Sequence, residues 1–162
     1  MLNTKVLGAF AALALLAACE SSTTDAAATG GGAGAGGNPS AAPRPGSQED
    51  LVATVGDRVF FDTDRSSIRA DQRSILERQA AWLARYPAVT VQVEGHADER
   101  GTREYNLALG QRRANAARDV LVAGGTAGAR ISTISYGKDR PAALGSSEDA
   151  WAQNRRAVTV VR

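Results

Sequence analysis

A low-complexity stretch between about Ser21 and Ser47 decides how much of this 162-residue chain can fold. It consists mostly of Ala, Gly, Ser, Thr and Pro and includes two glycine-rich runs, at residues 30–32 and 34–37. Such a segment buries too little apolar surface to offset the entropy of ordering, so it is predicted to be a flexible tether. The chain is therefore expected to consist of a short N-terminal segment, this tether and one folded domain.

The N-terminal segment has the pattern of an export signal. Lys5 precedes an apolar run from Val6 to Leu16, which at about a dozen residues is too short to span a bilayer as a helix. Small residues then lead to Cys19, the only cysteine of the chain. A lone thiol in an exported protein has no disulfide partner within its own chain. The arrangement resembles the lipobox of bacterial lipoproteins; the alternative is an ordinary signal peptide with a chance cysteine.

The lipobox resemblance implies a membrane anchor. Residues 1–18 would be the lipoprotein signal peptide, Cys19 would be acylated, and residues 19–48 would form the lipidated cysteine and tether. Several acyl chains on one cysteine hold a protein stably to a membrane. Glu20 stands where enteric bacteria use Asp to retain lipoproteins in the inner membrane. We therefore expect attachment to the outer membrane, with the domain facing the periplasm.

Residues 49–162 are long enough for one domain with its own core. The net charge of +2 and the pI near 9.0 are too mild to indicate nucleic-acid binding. Aromatic residues make up only 5% of the chain and do not interleave with a basic stripe, so a base-stacking surface is not predicted either.

Apolar periodicity predicts the secondary structure of this domain. The predicted elements are a strand at 59–61, a helix at 71–86, a strand at 89–94, a helix at 103–123, a strand at 131–136, a short helix at 146–154 with Ser146 as N-cap, and a strand at 157–161. The order β-α-β-α-β-(α)-β predicts an α+β fold. Right-handed crossovers would place both long helices on one face of a small mixed sheet.

The densest polar segment runs from Gly95 to Asn106, a predicted loop at 95–102 that leads into a helix. Open α/β folds place ligand sites where strands end and helices begin. Two glycines bracket the loop and permit a tight backbone with side chains aimed into a shared space. The alternative is a solvated loop in front of a capped helix.

Arg113 gives a second indication of a site. It falls on the same face of the predicted helix as Tyr105 and Leu109, and an unpaired charge on an apolar face is costly. A partner carboxylate could come from the same chain or from a ligand, which the guanidinium fork could bind with two hydrogen bonds. A stripe through Leu107 and Ala114 would instead leave Arg113 more exposed.

Asp98 and Arg113 could together bracket a zwitterion. Asp98 would bind an ammonium group and Arg113 a carboxylate, the pair of groups that one amino acid presents. Enzymatic alternatives have less support. His96 is the only histidine, no serine is marked out as a nucleophile, and no metal-ligand set or cofactor motif is found. We expect no catalytic activity, no cofactor and no metal.

Several separated motifs occur in an order that resembles the OmpA-like peptidoglycan-binding domain. They are Gly95-His96-Ala97-Asp98-Glu99-Arg100-Gly101-Thr102, Tyr105-Asn106, Arg112-Arg113-Ala114-Asn115-Ala116, Ser135-Tyr136-Gly137-Lys138, Pro141 and Asn154-Arg155-Arg156-Ala157-Val158. The resemblance covers essentially the whole folded domain. Gly110, where many relatives have Ser, and Arg103 depart from the pattern.

The resemblance implies a ligand, the diaminopimelate side chain of the peptidoglycan stem peptide. The main contacts of the family fall on Asp98 and Arg113. Other contacts fall on Phe61, Asp62, Thr63, Thr102, Asn106 and Leu109. Lipid-anchored relatives also bind the TolB propeller and other Tol proteins, which implies the same partners here.

Three hypotheses remain open from the sequence. The first is a non-enzymatic anchor that binds the cell wall. The second is a periplasmic hydrolase that uses His96, Asp98 and Glu99. The third is a structural lipoprotein that acts only through protein partners.

Overall fold

The strands of the domain form one mixed sheet in the computed structural model, which describes residues 42–162. The predicted signal peptide, Cys19 and most of the predicted tether lie outside the described residues. The elements are α1 (Gln48–Thr54), β1 (Arg58–Phe60), α2 (Ala70–Arg85), β2 (Val91–His96), α3 (Arg103–Ala123), a 3-10 turn (Gly128–Arg130), β3 (Ile131–Gly137), α4 (Glu148–Asn154) and β4 (Arg156–Val161).

The sheet has the order β1-β4-β2-β3. β2 and β3 are parallel, and β4 runs antiparallel to both β2 and β1. α2 and α3 contact each other, and both supply buried residues to one core with the strands. This is the predicted α+β arrangement, with the two long helices on one side of a small mixed sheet.

The helices begin and end where local chemistry satisfies their free backbone groups. The Thr102 hydroxyl caps α3 by accepting from the backbone N–H of Tyr105 at 3.2 Å. Gly124 ends the same helix, donating its N–H to the carbonyl of Val120. Pro87 follows α2 two residues after its last turn, as expected of a residue that cannot continue a helix.

The structure corrects several predicted boundaries. The sequence predicts Gly95 and His96 in the polar loop, but they are the last residues of β2 and pair with β3. The predicted strand also includes Val89, but Val89 precedes β2 and is only partly buried. The N-cap of α4 is Ser147, whose hydroxyl accepts from the N–H of Ala150 at 3.3 Å, and not Ser146.

α1 was not predicted. It contributes a single fully buried side chain, Leu51, to the core. Gln48 joins it to β4 through hydrogen bonds to the Thr159 carbonyl (3.2 Å) and the Val161 N–H (2.7 Å). No helix within residues 42–162 is long and apolar enough to cross a membrane.

Candidate binding site

A cleft of about 310 Å³ opens where β1 and β2 end and α3 begins. It is lined by Thr63, Asp64, Asp98, Arg100, Gly101, Tyr105, Asn106 and Leu109. β2 delivers the motif to this place through a register shift between Gly95 and His96, after which Ala97 donates its N–H to the Gly137 carbonyl at 2.8 Å. The predicted polar motif therefore lies at one wall of a real cleft.

Asp98 is the buried acid of the cleft, with only 7% of its surface exposed. Arg100 donates to it through its backbone N–H (3.2 Å), Nε (3.1 Å) and Nη2 (2.7 Å). Nη1 of Arg155 lies 3.5 Å from its Oδ2. Burial by itself would raise the pKa of Asp98, but the hydrogen bonds from Arg100 and the charge of Arg155 outweigh it and hold the pKa below its ordinary value. Asp98 is therefore a carboxylate at neutral pH.

Arg113 is fully buried and does not line the cleft. Its guanidinium donates to three backbone carbonyls, those of Arg65 (2.8 Å), His96 (2.8 Å) and Asp62 (3.1 Å). Burial lowers its pKa to about 10, so it stays charged at neutral pH.

The buried face of α3 lies between the two stripes considered from the sequence. Arg113 and Leu109 are buried as in the first stripe, and Ala114 is buried as in the second. Tyr105, which the first stripe placed inward, is 45% exposed.

The other predicted site residues divide into two groups. Thr63, Asn106 and Leu109 line the cleft with Asp98. Asn106 is buried and its side-chain amide donates to the Arg100 carbonyl at 2.8 Å, which fixes the motif loop to α3. The structure therefore brings four of the eight predicted ligand contacts to one cleft.

Phe61, Asp62 and Thr102 lie beside the cleft without lining it. Phe61 is buried, with its ring 5.1 Å from the guanidinium carbon of Arg113. The Asp62 carboxylate is exposed and faces Arg69 at 3.4 Å. Thr102 caps α3.

Four residues lining the cleft were not among the predicted contacts: Asp64, Arg100, Gly101 and Tyr105. Asp64 has a left-handed backbone conformation (φ 57°), and its carboxylate accepts a hydrogen bond from the Tyr105 hydroxyl across the cleft. A non-glycine residue in this conformation is uncommon and is often found at functional sites. In the sequence, the Asp-Thr-Asp segment after the first strand was the feature that could have indicated Asp64 as a site residue. Arg100 lies within the motif at residues 95–102, but the family resemblance implies no role for it.

His96 does not face the cleft, and its side chain is 3% exposed. Neither ring nitrogen has a hydrogen-bond partner in the described part of the chain. Burial, together with the charges of Arg156 and Arg140, lowers the pKa of His96 to about 4. Glu99, the third residue of the hydrolase hypothesis, accepts a hydrogen bond from the Trp151 indole at 3.1 Å. Residues 42–162 contain no cluster of three or more His, Cys, Asp or Glu side chains suited to a metal ion.

The fold and the cleft define a small α+β domain with a charged site at the ends of its strands. Residues 60–155 match the sequence profile of the OmpA family. The chain belongs to this family.

Named relatives extend the similarity beyond the profile. A protein called peptidoglycan-associated lipoprotein from Mesorhizobium japonicum is 54% identical over 156 residues, which cover 96% of this chain and 90% of the relative. Its namesake from Rhizobium meliloti is 61% identical over 122 residues, 75% of this chain and 69% of the relative. The crystal structure of the peptidoglycan-associated lipoprotein from Burkholderia pseudomallei is 42% identical, with a TM-score of 0.65, and the match covers 69% of this chain and 93% of that one. The predicted family and fold are confirmed.

Proposed function

We propose that this protein binds peptidoglycan non-covalently, through the diaminopimelate side chain of the stem peptide. The observation that carries the proposal is the buried Asp98 carboxylate at the wall of an open cleft, in a chain whose relatives bear the name peptidoglycan-associated lipoprotein. A carboxylate kept charged and partly desolvated is suited to an ammonium group, which the end of the diaminopimelate side chain presents.

The domain binds the wall while its N-terminus is held in the outer membrane. In this proposal Cys19 carries the acyl chains, and the tether lets the domain reach the wall from the periplasmic face. Binding would then fasten the outer membrane to the peptidoglycan. As in the Tol-Pal system, TolB and other Tol proteins would be further partners, with a role in envelope integrity and cell division.

Arg113 acts on this site through the backbone. Its three hydrogen bonds fix the carbonyls at the end of β2 and in the segment after β1, and these two segments carry Asp98 and Thr63. A direct hydrogen bond from Arg113 to a ligand carboxylate would require the guanidinium to become exposed. The buried position favours a role in shaping the cleft.

A purely binding role fits the geometry better than hydrolysis does. His96 is enclosed and does not line the cleft, so it has no path for proton exchange with a substrate there. Glu99, the other carboxylate of the hydrolase hypothesis, accepts a hydrogen bond from the Trp151 indole and does not line the cleft. The remaining alternative is a lipoprotein that works only through protein partners, and it predicts no affinity for wall fragments.

Calorimetric titration with a soluble muropeptide containing diaminopimelate tests the proposal. The protein used is the chain from residue 20 onward, which includes every described residue and lacks the acylation site. Asp98→Asn should weaken binding by at least about tenfold, because the ammonium loses a charged acceptor. Asp119→Asn removes the same charge at an exposed position of α3 and should bind like the parent.

A second ligand separates the two charges of the zwitterion. A muropeptide with lysine in place of diaminopimelate keeps the ammonium but lacks the carboxylate beside it, so the difference in affinity between the two ligands measures what that carboxylate contributes. No heat of binding from a folded parent would contradict the wall-binding proposal and favour the protein-partner alternative. Arg113→Ala is a poor probe, since it would leave three carbonyls without donors and disturb the fold itself.

A further inference from the structure

Both oxygens of the Asp98 carboxylate already accept hydrogen bonds from Arg100 in the free domain. An ionised carboxylate offers about four acceptor positions. Three are occupied by the Arg100 backbone N–H, Nε and Nη2, and Nη1 of Arg155 faces the fourth at 3.5 Å. An ammonium group entering the cleft would therefore meet the Arg100 side chain on both oxygens of Asp98.

Arg100 and Asp98 differ in how readily they can leave this pair. The Arg100 side chain is 39% exposed, whereas that of Asp98 is 9% exposed. Exposed guanidinium groups exchange a partner for water at little cost, while a buried carboxylate left unpaired is strongly disfavoured. Arg155, the other cation near Asp98, is held by the Phe61 carbonyl (3.1 Å) and Glu148 (2.7 Å) and is itself buried. Of the two arginines, Arg100 is the one that can move.

A second contact can hold the Arg100 guanidinium after it leaves the Asp98 carboxylate. Its guanidinium carbon lies 4.1 Å from the ring centre of Trp151, a cation–π contact on α4. The Trp151 indole is in turn fixed by its hydrogen bond to Glu99. Nη2 also reaches the Thr63 hydroxyl at 3.4 Å on the opposite side of the cleft. The Arg100 side chain thus lies between Asp98, Thr63 and the aromatic ring of Trp151.

We propose that Arg100 is a displaceable internal counter-ion, which occupies on Asp98 the position that the ligand's ammonium must take. This inference rests on the proposed function, since it concerns the same cleft and ligand. Arg100 keeps the buried acid paired when no ligand is bound and competes with every ligand that arrives. A neutral or purely anionic group cannot replace it on Asp98, so the exchange selects for cations.

Competition between Arg100 and the ligand predicts the direction in which the affinity of each variant should change. Removing Arg100 leaves Asp98 open, so Arg100→Gln should bind the diaminopimelate muropeptide more tightly than the parent, by about three- to tenfold. Arg100→Lys keeps the charge without the fork that contacts both carboxylate oxygens, and it should fall between the two. Arg103→Gln is the matched control: it removes an equal charge nearby, from an exposed pair with Asp139, and should leave affinity unchanged.

Trp151 reports the exchange in the parent protein itself. The muropeptide should change Trp151 emission as the guanidinium releases Asp98 and shifts its position over the ring, and this change should be much smaller in Arg100→Gln. Trp82, the only other tryptophan, is buried and donates to Asp50 far from the cleft, so its emission should stay constant. Trp151→Phe should abolish the emission change, which assigns that change to Trp151.

The possible outcomes are distinct. Equal or weaker muropeptide binding by folded Arg100→Gln, with the parent binding normally, would overturn the competition. A parent that binds without any change in Trp151 emission would also count against it. If neither parent nor variants bind, the wall-binding proposal fails instead, and the two failures cannot be confused.

Discussion

Two arginines, the fully buried Arg113 and the partly buried Arg130, tie together separate segments of the domain. Arg113 donates to carbonyls that lie 48, 17 and 51 residues away in the chain. Arg130 does the same at the C-terminal end of α2, where it donates hydrogen bonds to the carbonyls of Leu83, Tyr86 and Val89. A guanidinium has five N–H groups in a fixed plane, which suits it to collect carbonyls that helices and strands leave free. The candidate site therefore owes its shape to a residue that does not line it.

His96 makes the stability of the domain depend on pH. Its pKa is about 4 in the folded protein against an ordinary value of 6.5, because it is buried near Arg156 and Arg140. Glu94, 3.8 Å from Nε2, is the nearest opposing charge. Between pH 6.5 and 4 the unfolded chain takes up a proton that the folded one does not. The free energy of unfolding should thus fall as the pH is lowered through this window, by up to about 3 kcal/mol.

Urea unfolding at several pH values measures this effect. His96 is the only histidine, so His96→Gln should remove the slope between pH 6.5 and about 5. The depressed carboxyl pKa values, such as those of Asp98 and Glu99, act as the pH falls through their ordinary values of 3.8 and 4.5, so the range from pH 6.5 to about 5 isolates His96. If the free energy of unfolding depended on pH in the same way in parent and variant, His96 would have to be protonated equally in the folded and unfolded states.

At the residue scale, sequence reasoning found the acid of the site but not its surroundings. Asp98 and Asn106 could be predicted, since they lie in one dense motif between a strand and a helix. The partners of Arg113 could not, because backbone carbonyls carry no sequence signature and these come from separate segments. The approach of Arg155 to Asp98, across 57 residues of chain, likewise depends on the assembled sheet. Its motif was recognised, but no pattern connects the two positions.

At the scale of elements, periodicity predicted the order of the long helices and the strands. It did not predict the end of β2 or the presence of α1, both of which depend on tertiary contacts. Gly95 and His96 have no strand-like alternation, and they extend β2 because β3 offers parallel pairing to them. α1 has only seven residues and one fully buried side chain, too few for a periodic pattern to show.

α3 approaches the end of β2 closely at two glycines, Gly95 and Gly110. A Cβ atom on Gly95 would lie 1.8 Å from the carbonyl oxygen of Gly110, which is backbone and cannot swing away. Gly110, noted as a departure from related sequences, is therefore half of a glycine pair that lets the helix approach the strand. A Cβ there would in turn lie 2.3 Å from the Ser135 hydroxyl oxygen.

Gly95→Ala should accordingly destabilise the domain by about 3 kcal/mol, since the added methyl group forces α3 away from the sheet. Denaturant unfolding gives the change in free energy. Gly128→Ala is the control, because a Cβ there would meet only the end of the flexible Arg118 side chain, at 3.5 Å. It should change stability by less than about 0.5 kcal/mol. An equal effect of both substitutions would contradict the tight helix–strand contact.

At the scale of the whole molecule, α1 determines where the tether must end. Leu51 is completely buried in the main core, and Asp50 accepts a hydrogen bond from the Trp82 indole at 3.1 Å. Gln48 completes the attachment through its two hydrogen bonds to β4. The segment just before β1 is thus part of the folded domain, and a pull on the N-terminus would reach the core through α1.

Truncation tests this boundary. Removing residues 20–41 from the chain that starts at residue 20 should leave the free energy of unfolding unchanged, because the deleted part is predicted to be tether. Removing residues 20–56 also deletes α1 and should lower that free energy by about 3–5 kcal/mol, the range for losing a buried leucine and the packing around it. Leu51→Ala in the longer chain should reproduce most of this loss without shortening the protein. If the chain from residue 57 unfolded at the same urea concentration as the chain from residue 42, α1 would be an appendage and the tether would extend to β1.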